Sequence, residues 1–179
     1  MHPLKIIENY YDVRAMAYQI LINHSRSVAD KAIAIAKSHP EMNLDLPFIE
    51  EAAMLHDIGM IYCNAPEICC YGTFAYVCHG YLGADLLRKE GYPRHALVCE
   101  RHTGTGISTQ MIREQNLPLP YKDFMPVSLE EQLICFADKF FSKTKPDKEK
   151  DINTIQMSLS KHGADTVLFF NHWYTLFLG

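Results

Sequence analysis

Four histidines and two aspartates stand along the chain where they could hold metal ions: His24, the adjacent pair His56-Asp57, His79, His102 and Asp138. Neighbours on a helix are rotated by about 100°, so His56 and Asp57 cannot share a face inside one, but at a terminal turn both can reach the same ion. The others fall on apolar stripes: His24 with Val28 and Ile35, His79 with Leu82 and Leu86, His102 four residues after Val98, and Asp138 four after Ile134. Taken singly, each histidine reads as a hydrogen-bonded core residue. Taken together, imidazoles and carboxylates directed inward need a counter-charge, because an unpaired buried carboxylate is expensive and few cations lie near Asp57 or Asp138 in sequence. A metal ion meets that need.

Elements must aim these side chains. From Leu4 to Lys37 the pattern is helical, with Ile20, Val28, Ala32, Ile35 and Ala36 near helical spacing and no Gly or Pro between Pro3 and Pro40; a break near Asn23-His24-Ser25 is compatible with it. Asp45 before Pro47 predicts a helix start. That helix is expected to stop near Gly59, on a left-handed C-terminal glycine. Residues 60–78, with Tyr62, Tyr71, Phe74 and Tyr76, read as a structured loop whose rings either pack in the core or stack on a base. Helices follow at Tyr81 to Lys89 and Pro93 to His102, separated by Gly91. A loop from Thr103 to Pro126 comes next, from which Arg113 or Lys122 could enter the site. Ser128 and Glu131 match a capping box that opens a helix to about Lys143. Two last helices, 148–162 and 164–178, meet at Gly163, and their aromatics Phe169, Phe170, Trp173, Tyr174 and Phe177 are expected to cap the core, with a homodimer contact as the second reading. No strand is expected.

With His24, the doublet His56-Asp57 in the form His-Asp-Ile-Gly, and the distal Asp138, the chain resembles the HD superfamily of metal-dependent phosphohydrolases over roughly Ile20 to Lys143. The added pair, His79 before Gly80 and His102 in Arg101-His102-Thr103-Gly104, is similar to the branch that holds two metals. The resemblance implies an all-α, single-domain helical bundle over 1–179, with a motif-bearing core at about 20–143 and C-terminal helices at 148–178 packed on it. It also implies His24, His56 and Asp138 on one metal, His79 and His102 on the other, and Asp57 shared. Asp57, His79 and His102 are the implied catalytic residues. Such a ligand set without thiolate suits one or two divalent ions, Fe or Mn first, with Zn, Ni, Co or Mg as alternatives. The implied reaction is hydrolysis of a phosphoric ester or anhydride by metal-activated water.

Many proteins with this doublet carry Lys after the glycine, where this chain has Met60. Arg26, Arg101 and Lys139, each near a ligand in sequence, are the candidates to replace that cation at a substrate phosphate. Cys99 and Cys135 each precede a ligand by three residues and are expected to pack behind the site, with a redox-sensitive thiol as the alternative.

Composition narrows the partners. The chain has 179 residues, 48% of them hydrophobic, and a formal net charge of −4 with no long Lys/Arg run, which argues against a surface built to track nucleic acid. A small phosphorylated metabolite, a nucleotide first, is the expected substrate. The apolar stretch from Val167 to Leu178 is too short to cross a bilayer, so no membrane partner is expected. No signal peptide follows Met1, and six cysteines without a CxxC pair read as reduced thiols, so the expected location is cytoplasmic. Two rivals share the ligand set: a mixed-valence di-iron oxygenase of the same fold, and a non-catalytic module that binds or senses a nucleotide.

Overall fold

The computed structural model describes residues 2–145 and 148–179. Its helices are α1 (Pro3–Glu8), α2 (Met16–Ser38), α3 (Leu46–Leu55), α4 (His79–Lys89), α5 (Pro93–Arg101), α6 (Thr109–Glu114), α7 (Leu129–Asp138), α8 (Ile152–Ser160) and α9 (Ala164–Leu178). Among the described residues the extended structure is one small ribbon, β1 (Asn64–Ala65) antiparallel to β2 (Cys70–Tyr71), with a few isolated bridges. The fold is all-α apart from these.

The apolar stripe of α2 buries Leu21, Val28, Ala29, Ala32, Ile35 and Ala36, and its small residues let α3 approach with Ala52 and Ala53. Onto this pair packs α7, through Leu133, Ile134 and Phe136, and α9 packs in turn on α7 through Phe170, Trp173 and Phe177. Phe136 and Phe170 lie 5.2 Å apart between ring centres, and Trp173 donates its indole N–H to Gln132 across 3.1 Å. Phe169 and Tyr174 remain exposed, so the C-terminal aromatics divide between core and surface. A second core joins α1, α4, α5 and the end of α3 through Ile7, Leu55, Ile58, Leu87 and Cys99. The ligand candidates sit where the two cores meet.

Several expectations need correction. The N-terminal helix breaks at residues 9–15, not at 23–25, where α2 is continuous. The cause is tertiary: Tyr11 is buried, its hydroxyl donating to Ile58 O at 2.8 Å and accepting from Ile61 N–H at 3.1 Å. The stretch after Thr103 contains α6, capped by the Ser108 hydroxyl on Met111 N–H. In the capping pair, Ser128 accepts from Glu131 N–H, but Glu131 reaches back to Val127 N–H at 2.9 Å. Helix α7 ends at Asp138 rather than near Lys143, and the chain turns so that Phe140 packs against Phe136 and Phe170. Gly59 is not in the left-handed region, which among glycines is occupied by Gly91, Gly104, Gly106 and Gly163. It lies inside a tight 3-10 turn, Ile58–Tyr62, that follows α3 directly. Its lack of a side chain serves close packing: a Cβ there would stand 2.2 Å from His79 O and 2.3 Å from Gly83 N.

Asp45 caps α3, accepting from Phe48 N–H at 3.1 Å, and also takes Arg94 at 2.6 Å. The Arg94 guanidinium and then the Phe48 N–H hold its carboxyl below the usual range. A depressed folded-state pKa contributes stability above the unfolded value of about 3.9, which is lost as pH falls through the folded value. Asp45→Ala is therefore expected to cost about 1 kcal/mol at pH 7. In denaturant melts the gap from wild type closes in acid; a gap that persists unchanged at pH 2 contradicts the assignment.

Candidate metal centre

All the ligand candidates but His24 stand at the end of an element. His56 follows the last residue of α3, His102 follows that of α5, Asp138 ends α7, and His79 opens α4; His24 lies in the middle of α2. Three helix C-termini, from α3, α5 and α7, thus converge on one locus. The negative end of a helix dipole favours a cation.

Asp57 stands at the centre, fully buried, with its oxygens facing different partners. Oδ2 lies 3.2 Å from His24 Nε2 and 3.1 Å from His56 Nε2, while Oδ1 lies 3.2 Å from His79 Nε2 and 3.3 Å from His102 Nε2. Asp138 Oδ1 is 2.9 Å from His24 Nε2 and 3.5 Å from His56 Nε2. The result is two donor groups, His24, His56, Asp57 and Asp138 on one side and Asp57, His79 and His102 on the other.

Main-chain carbonyls decide which nitrogen of each ring is bare. His56 Nδ1 donates to Ala53 O at 2.6 Å, His79 Nδ1 to Tyr76 O at 2.6 Å, and His102 Nδ1 to Cys99 O at 2.7 Å. A carbonyl can only accept, so the proton sits on Nδ1, and a neutral ring presents a lone pair on Nε2. His79 Nε2 and His102 Nε2 then face each other at 3.0 Å as two acceptors. That arrangement is repulsive unless a cation lies among them. Further, His56 Nε2 and Asp57 Oδ1 are buried and lack a hydrogen bond among the described residues, whereas Asp57 Oδ2 meets the Lys143 ammonium at 2.6 Å. Buried acceptors left in this state are costly, and divalent ions taking imidazole and carboxylate donors fit them.

The electrostatics agree. Burial opposes the charge on Asp57, yet His56 and Lys143 hold its carboxyl well below the ordinary range. Asp138 is held low in the same way, against burial, by Lys139 and His24. Burial drives His102 down to about 4, which keeps it neutral at pH 7. His56 is the exception: burial works against protonation, but Asp57 and Asp138 carry it up to about 9, so without an ion its Nε2 would bear a proton at pH 7, one that a metal would have to displace.

The candidate cations separate. Lys139 lies at the site, 2.7 Å from Asp138 Oδ2 and donating to His102 O at 3.2 Å. Arg101 is matched by Glu131 at 2.9 Å, tying α5 to α7. Arg26 points elsewhere, to Glu50 of α3 at 2.9 Å, since two residues along α2 rotate it about 200° from His24. Of the loop cations, Lys122 pairs with Glu100 and Arg113 with Tyr121. Sequence reasoning missed Lys143, whose Nζ sits 2.6 Å from Asp57 Oδ2 because α7 stops early and the chain turns back. Of the loop rings expected either to pack in the core or to stack on a base, Tyr76 stacks on His79 with ring centres 4.6 Å apart. Met60 is wholly buried in the core, and the cation beside the doublet is Lys143, with Lys139 on Asp138. Cys99 is buried and its thiol is pushed far up by burial; Cys135, pushed up to about 12 by burial, donates to His102 O at 3.2 Å. Both pack behind the ligands as thiols.

Beside the cluster lies a polar cavity of about 220 Å³ lined by His24, Asp138, Lys139, Lys143, Lys150 and His162. Gly104, Leu159 and His162 also border an apolar cavity of about 280 Å³, whose walls include Val77, Ile107, Met111 and Leu117.

Residues 21–142 match the HD domain family. The chain is 34% identical over 130 residues to a tRNA (cytidine(56)-2'-O)-methyltransferase of Thermoplasma volcanium, covering 72% of this chain and 34% of that one. A protein of the same description from Picrophilus torridus is 32% identical over 127 residues, 70% of this chain and 33% of its own length. An uncharacterized protein of Methanocaldococcus jannaschii is 31% identical over 135 residues, 74% of this chain and 72% of its own. The chain therefore spans about a third of the two methyltransferases. No solved structure matches. With the His-Asp doublet, the distal aspartate and the matched segment in agreement, the chain belongs to the HD domain family.

Proposed function

We propose that this protein is a metal-dependent phosphohydrolase that acts on a nucleotide or another small phosphorylated metabolite. The observation that carries the reading is the division of donors around Asp57, one carboxylate oxygen facing each group of imidazoles. In this reading His24, His56 and Asp138 hold one ion, His79 and His102 the other, and Asp57 both. Divalent ions so held lower the pKa of water and neutralise phosphoryl oxygens. The chain's own contribution is placement. The carbonyls of Ala53, Tyr76 and Cys99 fix three rings, Lys139 and Lys143 add positive charge at the polar cavity, and the adjoining apolar cavity offers room for a base or other flat apolar group.

The names of two relatives speak of methyl transfer to tRNA. The shared segment is a third of their length, so methyl transfer is not extended to this chain. Those names do make a phosphoester at an RNA terminus a sensible member of any substrate panel.

The test is elemental analysis of the purified chain beside a phosphate-release screen with added Mn or Fe. The panel spans nucleotides, sugar phosphates and short RNAs with terminal phosphates. Near two metals per chain and metal-dependent phosphate release are expected. Bound iron with oxygen consumption and no phosphate release overturns the hydrolase in favour of oxygenase chemistry.

A further inference from the structure

We propose that the polar cavity beside the ligand cluster contains a second anion subsite centred on Lys150, so that the substrate carries two phosphate groups. The inference rests on the phosphohydrolase reading and names a narrower substrate class for it. Three lysines line this cavity, and their charges are matched differently. Lys139 is ion-paired with Asp138 and Lys143 with Asp57. Lys150 donates only to carbonyls, Lys139 O at 3.3 Å and Phe141 O at 2.9 Å, and has no carboxylate within ion-pair distance among the described residues.

Two carbonyls orient an ammonium without neutralising it, and the group is partly buried. Burial lowers its pKa; Asp138 pulls the other way, and Lys139 and Lys143 add repulsion. An anion arriving in the cavity relieves this, and one N–H of the ammonium remains for it after the two carbonyl bonds. Asp138, the carboxylate of the cavity, is already opposed by Lys139 and belongs to the ligand cluster. A phosphoryl group at the cluster and a second phosphate at Lys150 would thus share one cavity of about 220 Å³. Lys150 and His162 both lie beyond the segment that matches the family, so this feature comes from the C-terminal part of the chain.

The test uses the full chain loaded with manganese and compares two non-hydrolysable probes by calorimetry, propylphosphonate and propane-1,3-bisphosphonate, with free metal held constant. Wild type is expected to bind the bisphosphonate at least about tenfold more tightly, the range of a charge-assisted contact. Lys150→Met should remove that preference and Lys150→Arg should keep it, with circular dichroism confirming that each is folded. Equal binding of both probes by wild type, or equal weakening of both by Lys150→Met, overturns the subsite while binding of propylphosphonate leaves the phosphohydrolase reading standing. Absence of binding by either probe, together with no release from p-nitrophenyl phosphate, overturns both.

Discussion

Asp57→Ala is expected to empty both halves of the metal centre and to lower phosphate release by more than about a hundredfold, beyond the usual effect of altering a group that merely supports a ligand. Its oxygens face four imidazoles at 3.1 to 3.3 Å, so each donor group loses a member. Removing any other ligand weakens one group only. The variant also leaves Lys143 Nζ without the carboxylate it meets at 2.6 Å. Breaking a buried pair from one side costs about 3 kcal/mol or more, so the metal-free variant should melt earlier as well. Asp57→Asn, of equal size, separates the effects: it keeps the packing yet lacks the charge. Metal analysis and kinetics on folded samples of both decide the matter. Full occupancy with undiminished turnover in Asp57→Ala would remove Asp57 from the centre and the proposed function with it.

Gly59→Ala is expected to cost more than about 4 kcal/mol or to prevent folding, a loss that single substitutions rarely reach. The added methyl would meet His79 O at 2.2 Å, Gly83 N at 2.3 Å and Gly83 Cα at 2.8 Å, all of them main-chain atoms that no rotamer change can move. The first turn of α4 would have to retreat, taking His79 with it. If enough folded protein is recovered, metal bound through His79 and His102 should be lost before that bound through His24, His56 and Asp138. Denaturant unfolding gives the check, and a shift below about 1 kcal/mol would contradict the close approach of the two glycines.

The six ligand candidates were legible because helical stripes and one doublet are local patterns. Helix starts at Asp45 and Ser128 were legible for the same reason, since a cap acts within one turn. What stayed hidden was nonlocal. Nothing near Tyr11 in sequence announces that its hydroxyl braces Ile58 and Ile61. Gly59 was recognised as necessary but given a turn's reason, because the neighbour that forbids a side chain, α4, begins 20 positions later at His79. Helix α6 was concealed by the glycines and prolines around it. The sequence lacks a cation at Met60, and the structure brings Lys143 to Asp57 of the doublet and Lys139 to Asp138, from about 80 positions further along the chain.

The carbonyls that hold His56, His79 and His102 belong to Ala53, Tyr76 and Cys99, each three residues before its ring. Those of Ala53 and Cys99 are among the last four of α3 and α5, which a helix leaves without internal partners. Fraying of either helix end would release the ring and its ion together. On the proposed metal centre, ion exchange would thereby be coupled to local opening: the residence time of a bound metal should follow amide protection at these two termini, and agents that stiffen helix ends should slow its loss to a chelator.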